Sequence, residues 1–550
     1  MDGHDAVIEL LNAEDVGTIF TLMSEDTMAM MSELETAWDD RIRMIKTRHE
    51  QGAMAMADGY ARSSDGFGVC LVGRGPAVAQ TGTAMVTARK KGSDVLVIVP
   101  ESARSAAYDI KEFEQTAYLR STIGNVVSVG SHETLVPKFR EAVRRVKTGD
   151  GPLAIQIPWD ILDGTTAEPD EIEPVQMPAG NGRIHPDRGA IEQAVDLYVE
   201  SDAFQPPVIL AGRGAIESDA KAAIEALAER TSALLTTSLQ ARDYFSDHPY
   251  YLGFNGAWGT NLANKYTNEA KLVFAFGAGL NPYTIDDGHV FGPETKVIHV
   301  DSEPASLGRH ADIELGIQGD ARVTAEALTE ELRRRDIDRD GALWSEELKA
   351  TIAETSPMND REFPETPGTI DPRELVTELN ELLPEAKKVV TDAGHLTRWV
   401  MDGIRTPPED FTFTLDFASI GLGLPMGVGT AVAAEEKPCV TVCGDAGLMM
   451  SIQELETAIR NDVPMTVVVM NDSSLNSEYH SLDAKGEAPG VARVDAPDFA
   501  AVAESLGARG HTVRSLEELA DLSDELGTAP SGQLVIDCKV NHLVRHRSKT

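Results

Sequence analysis

Residues 437–478 read KPCVTVCGDAGLMMSIQELETAIRNDVPMTVVVMNDSSLNSE, a pattern of strand, tight turn, helix, strand and loop. Pro438 to Cys443 is a short apolar run with β-branched residues, which suits a buried parallel strand. Gly444-Asp445-Ala446-Gly447 interrupts it. From Ser451 to Arg460 the spacing turns helical, with Ile452, Leu455 and Ile459 on one face. Asn461-Asp462 and Pro464 end that helix. Met465 to Met470 is a second apolar strand, and it stops at Asn471-Asp472.

A parallel βαβ unit delivers the C-terminal ends of both strands to one edge of the sheet. Asp445 and Asp472 should therefore arrive side by side. Two hard oxygen ligands, the free N–H groups of a small-residue turn and the start of a helix are the parts of a Mg²⁺–diphosphate site. A Gly-Asp turn alone says little, because both residues favour turns of every kind. The pairing of two such strand ends is the signal.

The remaining composition sets limits. At 550 residues the chain should hold two to four domains. There are 89 acidic against 49 basic residues, a net charge of −40, which argues against nucleic acid or an anionic membrane as partner. The acids are spread along the chain, as on a solvated surface in a high-salt cytoplasm; an acidic protein of ordinary salt is the alternative. The four cysteines, Cys70, Cys439, Cys443 and Cys538, form no Cys-x-x-Cys, so reduced structural thiols in a cytosol are expected. No basic-then-apolar leader and no membrane-length apolar run is seen, and the expected location is cytoplasmic.

Residues 1–165 read as a first α/β unit. Helices are expected from Val7, over Met28 to Trp38, and from Glu50 through Tyr60. Strands are expected at Val16 to Phe20, Arg41 to Thr47, Gly68 to Val72, Val95 to Val99 and Leu153 to Ile157. Ala167 to Gly182 is acidic and Pro-rich, a linker. A middle α/β domain over 185–335 has strands at Val208 to Ala211, Ala233 to Thr236, Leu272 to Phe276 and Lys296 to Val300. Its Gly212-Arg213-Gly214 lacks the third Gly of a dinucleotide loop. In a second linker, over 335–370, Asp336, Asp338, Asp340, Gly341 and Glu347 match the spacing of a Ca²⁺-binding EF-hand loop. No second such loop occurs, and an acidic interdomain loop is the plain alternative. Residues 371–545 form the third domain, with a strand at Val389 to Thr391 before Asp392-Ala393-Gly394-His395.

These stretches together resemble the thiamine diphosphate (ThDP) enzymes, in particular the large subunit of acetolactate synthase. Gly444-Asp445-Ala446 and Asn471-Asp472 look like the family's G-D-G and N-N, with Ala for the third Gly and Asp for the second Asn. Ala446 demands a backbone that Ala tolerates. The resemblance implies Asp445, Asp472 and the Ser474 carbonyl as Mg²⁺ ligands, with Gly444, Gly447 and Leu475 beside the cofactor. Arg48-His49-Glu50-Gln51-Gly52-Ala53 is similar to the segment bearing the family's essential glutamate, so Glu50 would hydrogen-bond the aminopyrimidine ring and trade its proton. A helix-starting Glu that merely complements the dipole is the alternative. Pro76 and Gln80 lie in a stretch resembling the family's S-G-P-G loop, with Arg74 and Ala77 departing from it. His395 sits where the family contacts the diphosphate, although an exposed loop histidine reads the same. Phe417 to Pro425 resembles G-S-M-G-Y-G-L-P, which implies that the Ala418 backbone meets the pyrimidine and that Ile420 wedges the cofactor bent; on spacing alone Ile420 is core.

The implied architecture is three doubly wound parallel-sheet domains: first and third of the ThDP-binding fold, the middle one Rossmann-like. The middle domain binds FAD in some members. Here Gly277-Ala278-Gly279-Leu280-Asn281 lacks the arginine of the FAD-binding pattern, so FAD is not expected. The family's cofactor lies between two subunits, implying a homodimer or a dimer of dimers.

The family removes CO₂ from a 2-oxo acid and then either protonates the remainder, as decarboxylases do, or adds it to a second carbonyl, as acetolactate synthase does. Glu25 stands where pyruvate decarboxylase has a catalytic Asp, and Glu478 where it has a catalytic Glu. Its paired histidines are replaced by Lys111-Glu112-Phe113-Glu114-Gln115, with His480 as a substitute. Either Glu reads equally well as a solvated surface residue. Acetolactate-synthase-like carboligation is the expected activity. The alternatives are simple decarboxylation using Glu25 and Glu478, a non-catalytic protein of the same fold, and a flavin-using oxidase.

Overall fold

The computed structural model describes residues 1–165, 172–177, 182–201, 205–339, 341–434 and 436–546. Short apolar runs alternate with amphipathic helices, and this alternation folds as three parallel sheets of six strands each. The first holds β1 (Thr18–Thr21), β2 (Arg43–Lys46), β3 (Gly68–Leu71), β4 (Val95–Glu101), β5 (Asn125–Ser128) and β6 (Leu153–Pro158), ordered β2-β1-β3-β4-β6-β5. The second holds β7 (Val208–Ala211), β8 (Leu234–Thr237), β9 (Tyr251–Phe254), β10 (Leu272–Phe276), β11 (Lys296–Asp301) and β12 (Leu315–Gln318), ordered β12-β11-β10-β7-β8-β9. This is the doubly wound dinucleotide-fold order. The third holds β13 (Lys388–Thr391), β14 (Phe411–Phe413), β15 (Cys439–Gly444), β16 (Met465–Asn471), β17 (Arg509–Val513) and β18 (Gln533–Lys539), ordered β14-β13-β15-β16-β18-β17. Renumbered from its own start, the third order repeats the first.

The first and third sheets belong to one compact unit, Met1–Met177 with Asp360–Thr406 and Asp410–Thr550. The middle sheet belongs to another, Pro178–Asn359 with Pro407–Glu409. The segment expected as a second linker is in part built into the middle unit. Trp344 stacks on Tyr250 with ring centroids 4.4 Å apart, and its indole N–H donates to the Ala233 carbonyl at 3.2 Å. Most of the expected first linker, residues 166–171 and 178–181, lies outside the described residues.

Within the first unit the helix Glu50–Ala61, α1, crosses the helix Gly423–Ala433, α2. Gly59 and Gly429 let the backbones touch: a side chain at either would run into the carbonyl of Met426 or of Met56. Ala53, Met54, Ala57, Leu424 and Val428 from these two helices share one buried cluster with Leu455 and Val467.

Two expectations need correction. Gly444 to Gly447 is no simple turn: Gly444 caps a short helix, Asp445–Met449, and a second helix, Gln453–Arg460, follows after a break. Ala446 sits inside the first of these, where Ala favours helix as Gly does not. Six strands were not foreseen: β5, β9, β12, β14, β17 and β18. Five of them, β5, β9, β12, β14 and β17, are sheet edges of mixed burial that offer no continuous apolar run.

Candidate active site

The register of β15 on β16 pairs Gly444 with Met470, so Asp445 and Asn471 leave the sheet side by side and Asp472 follows. Neighbouring strands lie about 4.8 Å apart. The two carboxylates feel each other. Burial first, then the charge of Asp445, push Asp472 up to about 7. Burial pushes Asp445 up to about 6, against backbone N–H donors that favour its ionised form. Asp472 accepts from the Ser474 hydroxyl at 2.8 Å, and Arg493 donates to its backbone carbonyl at 2.9 Å. Asn471 turns the other way and donates to Asp537 at 2.9 Å.

A third strand-end acid organises this edge. Asp392, after β13, is fully buried. Its carboxylate accepts from the N–H groups of Ala393 at 2.9 Å, Gly421 at 2.8 Å and Gly423 at 3.2 Å, and from the Thr414 hydroxyl at 3.0 Å. A side chain at Gly447 would collide with it. Asp392 thus draws the loop holding Ala418 and Ile420 against the Asp445 turn. Ala418 takes a left-handed backbone, φ 56°, and is exposed; Ile420 is half-buried. Sequence reasoning passed over Asp392 as part of a turn. The available signal was a third acid ending a strand of the same sheet.

His395 starts the helix His395–Gly403 on the same edge. Its Nδ1 lies 3.4 Å from the Asn476 amide, and its ring stands 5.0 Å from His480 and 4.8 Å from His546. Burial, then the His480 charge, hold His395 down to about 3, so it is a neutral imidazole and no exposed loop residue. Leu475 and Glu478 are exposed; His480 is half-buried.

The remaining residues singled out lie on the first domain. Glu50 begins α1 and is half-buried, with its charge acting on Cys70 of β3. Glu25 is exposed, 3.2 Å from Lys111. Pro76 and Gln80 are exposed and bound a short helix whose Ala77 and Val78 are buried. In the middle domain the Gly212-Arg213-Gly214 turn packs onto Gly277 and Ala278, backbone against backbone. Of the EF-hand pattern, Asp340 lies outside the described residues, and Asp338 pairs with Arg230 at 2.9 Å. Among the described residues no three His, Cys, Asp or Glu side chains are arranged to hold a metal.

Three family models match in sequence order. Residues 1–120 match "Thiamine pyrophosphate enzyme, N-terminal TPP binding domain", 192–328 match the central domain, and 392–538 match the C-terminal TPP binding domain. The chain belongs to the thiamine pyrophosphate enzymes. Among its relatives is a probable acetolactate synthase large subunit of Methanocaldococcus jannaschii, 29% identical over 540 residues, covering 94% of this chain and 88% of the relative. A sulfoacetaldehyde acetyltransferase of Alcaligenes xylosoxydans xylosoxydans is 28% identical, covering 94% and 89%. An acetolactate synthase isozyme 2 large subunit of Escherichia coli is 27% identical, covering 94% and 92%. No helix of the described chain is long and apolar enough to cross a membrane.

The third domain's edge fits the family's cofactor. Asp445 and Asp472 repel each other, which a divalent cation would relieve. Near His395, Asn476 Oδ1 and His480 Nε2 are buried without a protein hydrogen-bond partner, polar groups that a polar ligand would satisfy.

Proposed function

We propose that this ThDP enzyme is Mg²⁺-dependent and joins the remainder of a decarboxylated 2-oxo acid to a second carbonyl compound, as an acetolactate synthase does. The observation that carries the cofactor half of this reading is the convergence of Asp445 and Asp472 at adjacent strand ends. Asp445, Asp472 and the Ser474 carbonyl would hold Mg²⁺, and Gly444, Ala446, Gly447, Leu475 and His395 would face the diphosphate. Ala418 and Ile420 would seat the pyrimidine. Bound ThDP supplies the electron sink that lets a 2-oxo acid lose CO₂. Glu50 holds and returns a proton at the pyrimidine nitrogen through its carboxyl oxygen. His395, kept neutral by burial, accepts or donates one hydrogen bond without adding charge.

The carboligase reading is favoured over simple decarboxylation by the placement of two acids. Glu25 and Glu478 are both exposed in this chain, and Glu25 is spent on Lys111. A carboxylate already held by an ammonium is a poorer proton relay than a free one.

A homodimer supports the same site. Met23, Tyr108 and Ile110 are exposed on the first domain, and Met449, Met450 and Val491 on the third. Apolar side chains gathered at the functional edges are what a second copy would cover. Glu50 of one copy would then serve the Asp445 of the other. The acidic surface supports a salt-rich cytoplasm as the setting.

The test is incubation with a panel of 2-oxo acids, ThDP and Mg²⁺ at high salt. A 2-hydroxy-3-oxo acid product supports carboligation; an aldehyde moves the reading to decarboxylation, and an acyl phosphate formed with added phosphate moves it to acyl transfer. Glu50→Gln should lose about a hundredfold in turnover with the fold intact. A melting temperature that ThDP and Mg²⁺ leave unchanged would point to a non-catalytic member of the family.

A further inference from the structure

Arg62 follows the last residue of α1 and is 6% exposed. It donates through Nε and Nη2 to both oxygens of Asp58, at 2.7 and 2.8 Å. Its other arm crosses to the third domain and donates to Asp416 Oδ2 at 2.8 Å and to the Phe413 carbonyl at 3.2 Å. Asp58 and Asp416 are 1% and 4% exposed, so the cluster sits away from water, where losing a partner is costly.

The position of this cluster matters more than its strength. Residues 414–421 have no regular structure of their own that would hold them. Asp392 anchors one face, through Thr414, Gly421 and Gly423. Arg62 supplies the other anchor, at Phe413 and Asp416, and it reaches from the helix that begins with Glu50. Between the anchors lies Ala418, in a left-handed conformation that a side-chain-bearing residue adopts only when its surroundings impose it.

We infer that Arg62 is a positioning residue: its fork locks the loop that seats the cofactor's pyrimidine onto α1 of the same chain, the helix whose own Glu50 would serve the site of the second copy. The inference rests on the ThDP reading given above, and it concerns residues that touch neither cofactor nor substrate. Arg62 acts by removing the loop's freedom before the cofactor arrives, so that binding does not have to order it. The planar fork is essential to this, since one guanidinium must serve Asp58 and Asp416 in fixed directions.

The deciding variant is Asp416→Asn, which keeps an oxygen facing Arg62 and leaves the Arg62–Asp58 pair whole. Ser63→Ala is the control, because Ser63 also joins the two domains, through Thr430 at 3.2 Å, but not through the loop. In apo-protein, backbone hydrogen exchange of peptides covering 413–421 should quicken about tenfold in Asp416→Asn and stay unchanged in Ser63→Ala. The dissociation constant for ThDP, titrated with Mg²⁺ present, should rise about tenfold in the same variant only. Equal exchange and equal affinity in Asp416→Asn and wild type overturn the inference while leaving the ThDP reading in place. Wild type that fails to bind ThDP overturns that reading instead, and the apo exchange still reports on the clamp. Should Asp416→Asn not fold, Arg62→Lys, which keeps the charge and loses the fork, gives the same two readings.

Discussion

The first and third domains share one strand order, yet their functional edges are electrically opposite in design. In the first, β3 runs on to Arg74, whose guanidinium pairs with Asp26 and with Asp109 at 2.9 Å. Lys111 adds contacts to Asp26 at 3.3 Å and to Glu25 at 3.2 Å. Arg74, Lys111, Glu25, Asp26 and Asp109 are thus all paired within the domain. In the third, β15 and β16 end in two buried carboxylates, Asp445 adding to the proton affinity that burial gives Asp472, with Arg493 bound to a backbone carbonyl beside them. A balanced edge is complete as it stands. An unbalanced one stores repulsion that only a ligand removes, which is how a perturbed group marks a site. The shared topology therefore says where a site can sit, and the residues ending the strands say in which copy a cation can be held.

The widest separation between the two edges should come from Asp445→Ala. It removes one of three proposed metal ligands, and ThDP affinity measured with Mg²⁺ should fall a hundredfold or more. If affinity holds within about twofold, the unbalanced edge is not the binding edge. Arg74→Met is its mirror. It leaves Asp26, 1% exposed, with Lys111 and the backbone N–H of residue 74, and denaturant unfolding should show a loss of about 3 kcal/mol. ThDP affinity per folded molecule should stay near wild type. A change in affinity with little loss of stability would show that Arg74 acts on the cofactor rather than on the fold.

Asp472→Asn probes the stored repulsion itself. Asp472 and Asp445 are pushed up to about 7 and about 6 when folded, against about 4 for an unfolded carboxyl. Folding therefore binds protons: the stabilising contribution is full below about pH 4 and is lost as pH rises through the folded values. Apo wild type should lose melting temperature between pH 5 and 8. Asp472→Asn should reduce that loss by about 3 °C, and Mg²⁺ added to wild type should reduce it likewise. The acidic surface adds the same trend to both proteins, so the difference between them is the measurement. Identical slopes would mean that folding does not raise the proton affinity of Asp472.

The sequence disclosed the third edge more readily than the first for a physical reason. β15 and β16 are central strands, buried on both faces, so each is an unbroken apolar run with a sharp polar stop. Edge strands such as β12 and β17 carry mixed residues and gave no such run. Asp392 escaped because a strand-end Asp before Ala-Gly looks like any turn, and its partners Gly421 and Gly423 are fixed only by tertiary packing. The Arg62 cluster was illegible for the same cause: Arg62 and Asp416 are 354 positions apart. Patterns of one local segment were readable, and pairings between segments were not.

The EF-hand-like loop shows the converse, a local pattern whose side chains take other partners. Asp338, 45% exposed, spends its carboxylate on Arg230, and the backbone N–H groups of Arg339 and Gly341 donate to the carbonyls of Arg230 and Glu229. The segment is thereby fastened to the helix Lys221–Thr231 at three points, and a loop wrapped around an ion would have to give these up. An ion pair this exposed contributes only about 0.2–1 kcal/mol. Asp338→Asn should accordingly shift the melting temperature by about 2 °C or less, equally with and without Ca²⁺. A Ca²⁺-dependent rise in wild type that the variant abolishes would show the loop leaving Arg230 for the ion, and would give the middle domain a charged site of its own to set against the third.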